Sequence, residues 1–325
     1  MFSRDVLRLD PGVACEQIEG AIRHEVLGTL HRRGAVVAMS GGVDSSVVAA
    51  LCVRALGAAR VQALFLPERD SSDDSLRLGK IVAGHLGLQP IVENIAPALA
   101  AIGCYERQVE AIRTVFPEYG QGWRCKLSLP QILQGDRLNV SRLTVADPAG
   151  NMRTSRMTPA GYLQLVAATN FKQRIRKTME YYHADRLNYA VAGTPNLLEY
   201  DQGFFVKAGD GAADIKPIAH LYKTQVYALA EHLGLPEEVR RRPPTTDTYS
   251  LPQTQEEFYF ALSYDKMDLC LWGMNHGIAA AEVAAAIGLT QEQVERVYHD
   301  IQAKRRAAIY LHHRPVLVGS EREPS

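Results

Sequence analysis

Apolar residues recur along this chain with two alternating periods. Ile18, Ala21, Ile22, Leu27 and Leu30 fall at helical spacing within residues 14–32, and the continuous apolar run 35–39 then reads as a strand. The pattern next predicts a helix from Ser45 to Leu56, a strand from Val61 to Leu66, a helix over 73–87 stopped by Gly87, and a strand from Pro90 to Ile95. Strands alternating with helices specify βαβ units. The expected fold is α/β, a doubly wound parallel sheet with flanking helices and its ligand site at the carboxyl ends of the strands.

Residues 113–158 break this rhythm. They are rich in Gly, Pro, Arg, Ser and Thr, and the runs 138–145 and 151–158 flank Asp147-Pro148-Ala149-Gly150, which predicts a hairpin. This segment reads as an inserted flap or an interface element within a single domain spanning 1–325. A long helix over 160–183, a strand from Leu187 to Ala192 and a helix from Lys223 to Gly234 resume the order. Residues 255–315 are mostly helical in pattern, and the tail from Glu321 to Ser325 is expected to be disordered.

The chemistry concentrates where the first strand ends. Residues 40–46 read Ser-Gly-Gly-Val-Asp-Ser-Ser and lead straight into a helix. Glycines let backbone amides approach an anion, and the helix adds its positive end, so the loop is suited to phosphate. Asp44 within it implies an accompanying divalent cation. The loop matches neither the Walker pattern GxxxxGK[ST] nor the dinucleotide pattern GxGxxG.

Charge and cysteine content narrow the class. The 36 basic residues balance the 36 acidic ones, which argues against a dedicated nucleic-acid binder. The five cysteines are scattered without a CxxC pair, so neither a disulfide framework nor a zinc site is expected, and a reducing, cytoplasmic setting fits. No run approaches the roughly 18 apolar residues of a membrane span.

The SGGxDS loop in its strand–loop–helix setting resembles the PP-loop of the N-type ATP pyrophosphatases, enzymes of the adenine nucleotide alpha-hydrolase-like fold that hold the pyrophosphate part of ATP and adenylate a substrate. Further strings narrow this: Asn170-Phe171-Lys172-Gln173-Arg174, the run 193–214 (GT-x4-E…GFF-x-K-x-GDG-x2-D), Lys216-Pro217-Ile218, the stretch 221–226, and Pro244-Thr245-Thr246-Asp247. Together they resemble the synthetase domain of NAD synthases over roughly 15–112 and 165–272. The resemblance implies ATP-dependent amidation of deamido-NAD by ammonia through an acyl-adenylate. It implies Asp44 and Glu199 as Mg²⁺ ligands, and Ser40, Gly41, Gly42, Ser45, Ser46 and Thr194 as ATP contacts. Lys223 and Thr245 would hold the departing phosphates, with Asp44, Lys223 and Asp214 as the catalytic set. Arg174, Lys207 and Asp214 would bind deamido-NAD, a dianionic pyrophosphate with a pyridine carboxylate. Phe204 and Phe205 read as core. A homodimer is implied, with the helix over 165–182 as a packing face, and the ammonia would be free or handed over by a separate protein.

Three departures from the family stand out: the long 113–158 segment, Lys172-Gln173-Arg174 in place of Lys-Ala-Arg, and a C-terminus where His312-His313-Arg314 and Lys304-Arg305-Arg306 compete to close over substrate. They leave two alternatives open: a paralogue that amidates another carboxylate, and a catalytically silent nucleotide-binding module. A tRNA-modifying PP-loop enzyme would want a cysteine pair and a basic surface, which the sequence lacks.

Overall fold

The computed structural model describes residues 2–129, 141–245 and 248–318. Leu138 at the start of the expected hairpin, Thr246 and Asp247, and the tail from Glu321 to Ser325 lie outside the described residues. Four strands form a parallel sheet: β1 (Ala35–Ala38), β2 (Val61–Phe65), β3 (Ile91–Val92) and, after the intervening strands of the flap, β7 (Ala190–Val191), in the order β3-β2-β1-β7. Registers pair Ala35 with Val61 and with Ala190. β1 is continuously apolar because it is covered on both faces, and its Val36 and Val37 are fully buried. The helix Val43–Leu56 crosses from β1 to β2 on one side of the sheet. The long helix Pro159–Leu187 lies against β1 from the other part of the chain.

Two boundaries differ from the sequence pattern for local reasons. The first helix starts at Pro11 under an Asp10 cap and changes at His24–Thr29 into a π-helical segment. The long helix runs on to Leu187 and ends at Asn188 in the left-handed conformation, which leaves the last parallel strand only Ala190–Val191.

The 113–158 segment holds more than a hairpin. β4 (Arg124–Ser128), β5 (Arg142–Ala146) and β6 (Met152–Arg156) form an antiparallel sheet in sequence order. β4 alternates Arg-Cys-Lys-Leu-Ser, with Cys125 and Leu127 buried, so its period was present in the sequence. This sheet is tied to the segment after Thr248. Cys125 N–H donates to Ser250 Oγ at 3.0 Å, Leu251 N–H donates to the Cys125 carbonyl at 3.0 Å, and Lys126 pairs with Glu257 at 2.6 Å. The flap therefore buttresses a wall of the cavity described below.

The C-terminal helices Tyr264–Asn275, Ala280–Ile287 and Gln291–His312 form a second core around Leu198 and Phe260. All five cysteines are buried and unpaired. Among the described residues, no helix is long and apolar enough to cross a membrane.

Candidate active site

The sheet order fixes where the site lies. From β1 the chain steps to β2 and β3 on one side, while β7 pairs with β1 on the other. The loops leaving β1 and β7 thus part company and open a crevice at their carboxyl ends. The segment 40–46 forms one lip of it, and the segment 193–199 the other.

The first lip is built for an anion. Gly41 has φ +74°, and a Cβ there would lie 2.4 Å from the Ser75 carbonyl oxygen, so only glycine lets the loop turn this close to the helix Asp73–His85. Gly42 is the N-cap of the helix Val43–Leu56 and supplies no capping side chain, which leaves the first-turn amides to face the crevice. The hydroxyls fold back on the loop: Ser45 and Ser46 donate to the Gly42 carbonyl at 3.1 and 2.8 Å.

The second lip delivers a carboxylate. Asn196 and Glu199 form a capping box, legible in the sequence as Asn-x-x-Glu: Glu199 N–H donates to Asn196 Oδ1 at 3.2 Å, and Asn196 N–H donates to Glu199 Oε2 at 3.1 Å. Gln255 donates to the other Glu199 oxygen at 3.1 Å. The two lips meet where Asn196 Nδ2 donates to Asp44 Oδ1 at 3.1 Å.

Lys223 completes the centre from below. It opens the helix Lys223–His232, is fully buried, and its ammonium donates to Asp44 Oδ2. Asp268 fixes that helix start by accepting from Lys223 N–H at 3.2 Å and Thr224 N–H at 2.7 Å. Burial pushes the Asp268 carboxyl up to about 6, and these amides oppose the shift. Burial alone would lower the Lys223 ammonium, but Asp44 and then Glu199 carry it above its ordinary value. Burial, and after it the Asp44 charge, raise the Glu199 carboxyl, with Lys223 opposing. Two carboxylates share one buried cation here.

That imbalance bears on Mg²⁺. Among the described residues no group of three or more His, Cys, Asp or Glu side chains could hold a metal ion. Asp44 and Glu199 nonetheless offer hard carboxylate oxygens beside a phosphate cradle, and Mg²⁺ is commonly held by one or two carboxylates together with substrate phosphates and water. The residues fit the ion.

A measurable consequence follows from Glu199. Its folded-state value lies above the ordinary 4.5, so in that window the folded chain binds more protons than the unfolded one, and Glu199 costs stability increasingly as pH rises from 4.5 toward about 8. Glu199→Gln, melted without metal or nucleotide, is expected to gain on the parent progressively across that window. A melting difference independent of pH would contradict the electrostatic account.

A cavity of about 590 Å³ fills the crevice. Of the sequence-derived candidates, Ser40, Gly42, Asp44, Ser45, Thr194, Glu199 and Thr245 line it. Thr245 Oγ1 accepts from Arg242 at 3.5 Å, and Arg242 also donates to Ser75 Oγ at 2.9 Å. Gly41, Ser46 and Lys223 stand behind the lining rather than in it. Arg174, Lys207 and Asp214 are also outside the lining. Arg174 Nε donates to the Lys207 carbonyl at 3.3 Å, and the Lys207 ammonium donates to the Tyr310 carbonyl at 2.8 Å. Exposed Asp214 accepts from Val191 N–H at 2.7 Å.

Their neighbours do face the cavity: Gln173, Arg176, Lys177 and Glu180 from the long helix, and Asp210 from the 203–214 segment. Burial raises both Glu180 and Asp210, while the Lys177 ammonium, 2.6 Å from Glu180, opposes the shift. Sequence reasoning passed over these residues, although the spacing 173, 176, 177, 180 marks one helical face. Phe204 and Phe205, expected as core, are half-buried and line the cavity, with Phe204 stacked on Tyr259 at 4.6 Å.

At the C-terminus, His312 Nε2 lies 2.9 Å from the Tyr200 carbonyl, and its ring meets Tyr200 and Phe205 edge-on. Leu311 beside it lines the cavity. Lys304 and Arg305 instead pair with Asp300 and Asp201 at 2.7 Å, and His313 and Arg314 are exposed.

The family model for NAD synthase matches residues 14–115 and 135–307. The chain belongs to the NAD synthase family. It is 64% identical to the NH(3)-dependent NAD(+) synthetase of Mesorhizobium japonicum, over 96% of this chain and 98% of that one. It is 59% identical to the Rhizobium meliloti protein of the same name, over 98% and 95% of the two chains. Among solved structures, the NH3-dependent NAD synthetase of Campylobacter jejuni superposes with TM-score 0.62 at 22% identity, covering 96% of this chain and 100% of that one. The NMN synthetase of Francisella tularensis superposes with TM-score 0.65 at 20% identity over the same shares. The parallel sheet with its flanking helices is the fold shared with these two solved structures. The unmatched stretch between the two family segments includes β4 of the flap.

Proposed function

We propose that this chain is an ammonia-dependent NAD synthetase. It converts deamido-NAD, ATP and ammonia into NAD, AMP and pyrophosphate. The observation that carries this reading is 64% identity across 98% of the Mesorhizobium japonicum enzyme, and the crevice geometry around Asp44, Glu199 and Lys223 supports it. The whole chain, 1–325, acts as one catalytic unit with the 113–158 insertion.

The reaction runs in two steps. A pyridine carboxylate oxygen attacks the α-phosphorus of ATP, the α–β bridge bond breaks, and pyrophosphate leaves. Ammonia then attacks the acyl carbon, AMP departs with the former carboxylate oxygen, and the spare proton goes to solvent. No side chain becomes covalently attached; the protein positions charges and excludes water. Amides at the start of the helix Val43–Leu56, with Ser40, Gly42, Ser45 and Thr194, cradle ATP, while Gly41 and Ser46 hold the loop in shape from behind. Lys223 and Thr245 meet the charge that builds on pyrophosphate. Mg²⁺, held by Asp44 and Glu199, would neutralise phosphate charge when bound.

Arg174, Lys207 and Asp214 hold deamido-NAD at the rim. For Lys207 this means releasing the Tyr310 carbonyl, so substrate binding and the seating of the C-terminal helix are linked. His312, on Tyr200 and Phe205, is the group best placed to close over the substrate. The active form is a homodimer that buries the exposed Leu163 and Tyr182 of the long helix, whose Leu165, Ala168 and Lys172 already pack within the chain.

The test is a choice of acids. With MgATP and ammonium, deamido-NAD is expected to give NAD with one AMP and one pyrophosphate per turnover, and to outcompete nicotinate mononucleotide. Faster AMP release with the mononucleotide would move the assignment to another acid. Nucleotide binding without AMP release from either would sink the enzymatic reading.

A further inference from the structure

Lys172 is fully buried, yet it stands behind the cavity rather than in it. An ammonium has three N–H donors, and here each has one acceptor: Glu68 Oε1 at 3.0 Å, Asp70 Oδ2 at 2.6 Å and the Thr248 carbonyl at 2.9 Å. The three acceptors come from two loops. Glu68 and Asp70 lie in the loop after β2, whose Pro67, Ser71 and Ser72 line the cavity. Thr248 lines the cavity too.

The rest of the network is equally complete. Tyr105 donates its hydroxyl to Glu68 Oε2 at 3.0 Å. Arg69 spans both Asp70 oxygens at 3.2 and 3.3 Å and lies 3.8 Å over the Tyr105 ring. One turn further along the same helix, Arg176 donates to the Leu66 carbonyl and to Ser71 Oγ, each at 3.3 Å. Burying an ammonium with two carboxylates is an expensive way to gain stability, since apolar side chains of the same volume pack as well. What such a network adds is direction: each N–H fixes where its acceptor must sit.

We infer that Lys172 is a positioning residue for the ATP step. Its ammonium pins the loop after β2 and the backbone at Thr248 to one helix, and so sets the width of the cavity that both line. The inference rests on the NAD synthetase reading. It assigns Lys172 no contact with substrate; the residue acts through Ser71, Ser72 and Thr248.

The experiment measures KM for ATP and for deamido-NAD separately, with kcat, on the full chain. Lys172→Met is expected to lower kcat/KM for ATP by about 10²-fold, mainly through KM, because small displacements of positioned groups cost rates of this order. KM for deamido-NAD should stay within about twofold. Asp70→Ala keeps Lys172 paired with Glu68 and the Thr248 carbonyl but removes one of its two anchors in the loop after β2. It should remain folded and raise KM for ATP by about fivefold or more. A purely structural role would lower the active fraction, and hence kcat, with both KM values unchanged; that outcome overturns the inference. If Lys172→Met does not fold, an unchanged KM for ATP in Asp70→Ala overturns it equally. A parent protein that forms no NAD would refute the underlying reading instead, which is a separate result.

Discussion

Asp44→Asn is expected to cut pyrophosphate release and NAD formation by at least about 10³-fold while the chain still folds. The substitution is nearly isosteric, so the loop keeps its path. It removes the charge that pairs with Lys223 and one of two carboxylates that fit Mg²⁺. It also strands a donor. Asn196 Oδ1 is held by Glu199 N–H, so its amide cannot turn over, and its Nδ2 would face a second amide nitrogen if the new side chain kept its oxygen toward Lys223. One lost hydrogen bond and the broken ion pair, with Glu199 left beside Lys223, should reduce stability by about 3 kcal/mol, short of unfolding a chain of this size. Steady-state release of pyrophosphate, with a circular dichroism melt as control, checks both halves. Activity within about tenfold of the parent would remove Asp44 from the centre of the account.

Lys223→Met should be nearly as damaging, for a complementary reason. The methionine fills the buried volume, but Asp44 and Glu199 then face each other without a cation. Breaking a buried pair from one side commonly costs about 3–5 kcal/mol, whereas replacing both members together is often neutral. The double variant Asp44→Asn, Lys223→Met should therefore melt higher than Lys223→Met alone. Its activity should be no lower than that of the worse single variant, as expected of two groups acting as one unit on the departing phosphates. For Lys223→Met itself the expected loss in kcat is about 10²–10³-fold, the range for removing one preorganised donor from developing charge. Additive losses in the double variant would mean that the two residues act independently.

Much of this centre was readable in one dimension because its parts are local. Strand, glycine turn and helix follow each other within about twenty residues, and the turn chemistry of Gly41 is a property of its own backbone. Asn196 and Glu199 form a capping box over three residues, which a sequence states outright. What joins these pieces is not local. Lys223 meets Asp44 across 179 residues, Lys172 meets Glu68 across 104, and Asp268 caps a helix that begins 45 residues earlier. No period or spacing encodes such contacts; the sheet order creates them.

The substrate end was less legible still. The family strings pointed to Arg174, Lys207 and Asp214, and in this chain those side chains bond to backbone groups distant in the sequence, at Lys207, Tyr310 and Val191, while Gln173, Lys177 and Asp210 face the cavity. Side-chain direction on a long helix buried on several sides depends on packing around it, and its apolar pattern is too diffuse to give it. Within the flap, the polar residues of β4 hid a strand whose inward positions are only Cys125 and Leu127.

Adenylation of a carboxylate in the crevice between β1 and β7 leaves its signature in where the carboxylate oxygen ends up. The most direct measurement follows oxygen. Deamido-NAD labelled with ¹⁸O in its pyridine carboxylate, turned over with MgATP and ammonium, should deliver one labelled oxygen to AMP and none to pyrophosphate. Unlabelled AMP, or label in pyrophosphate, would contradict the account.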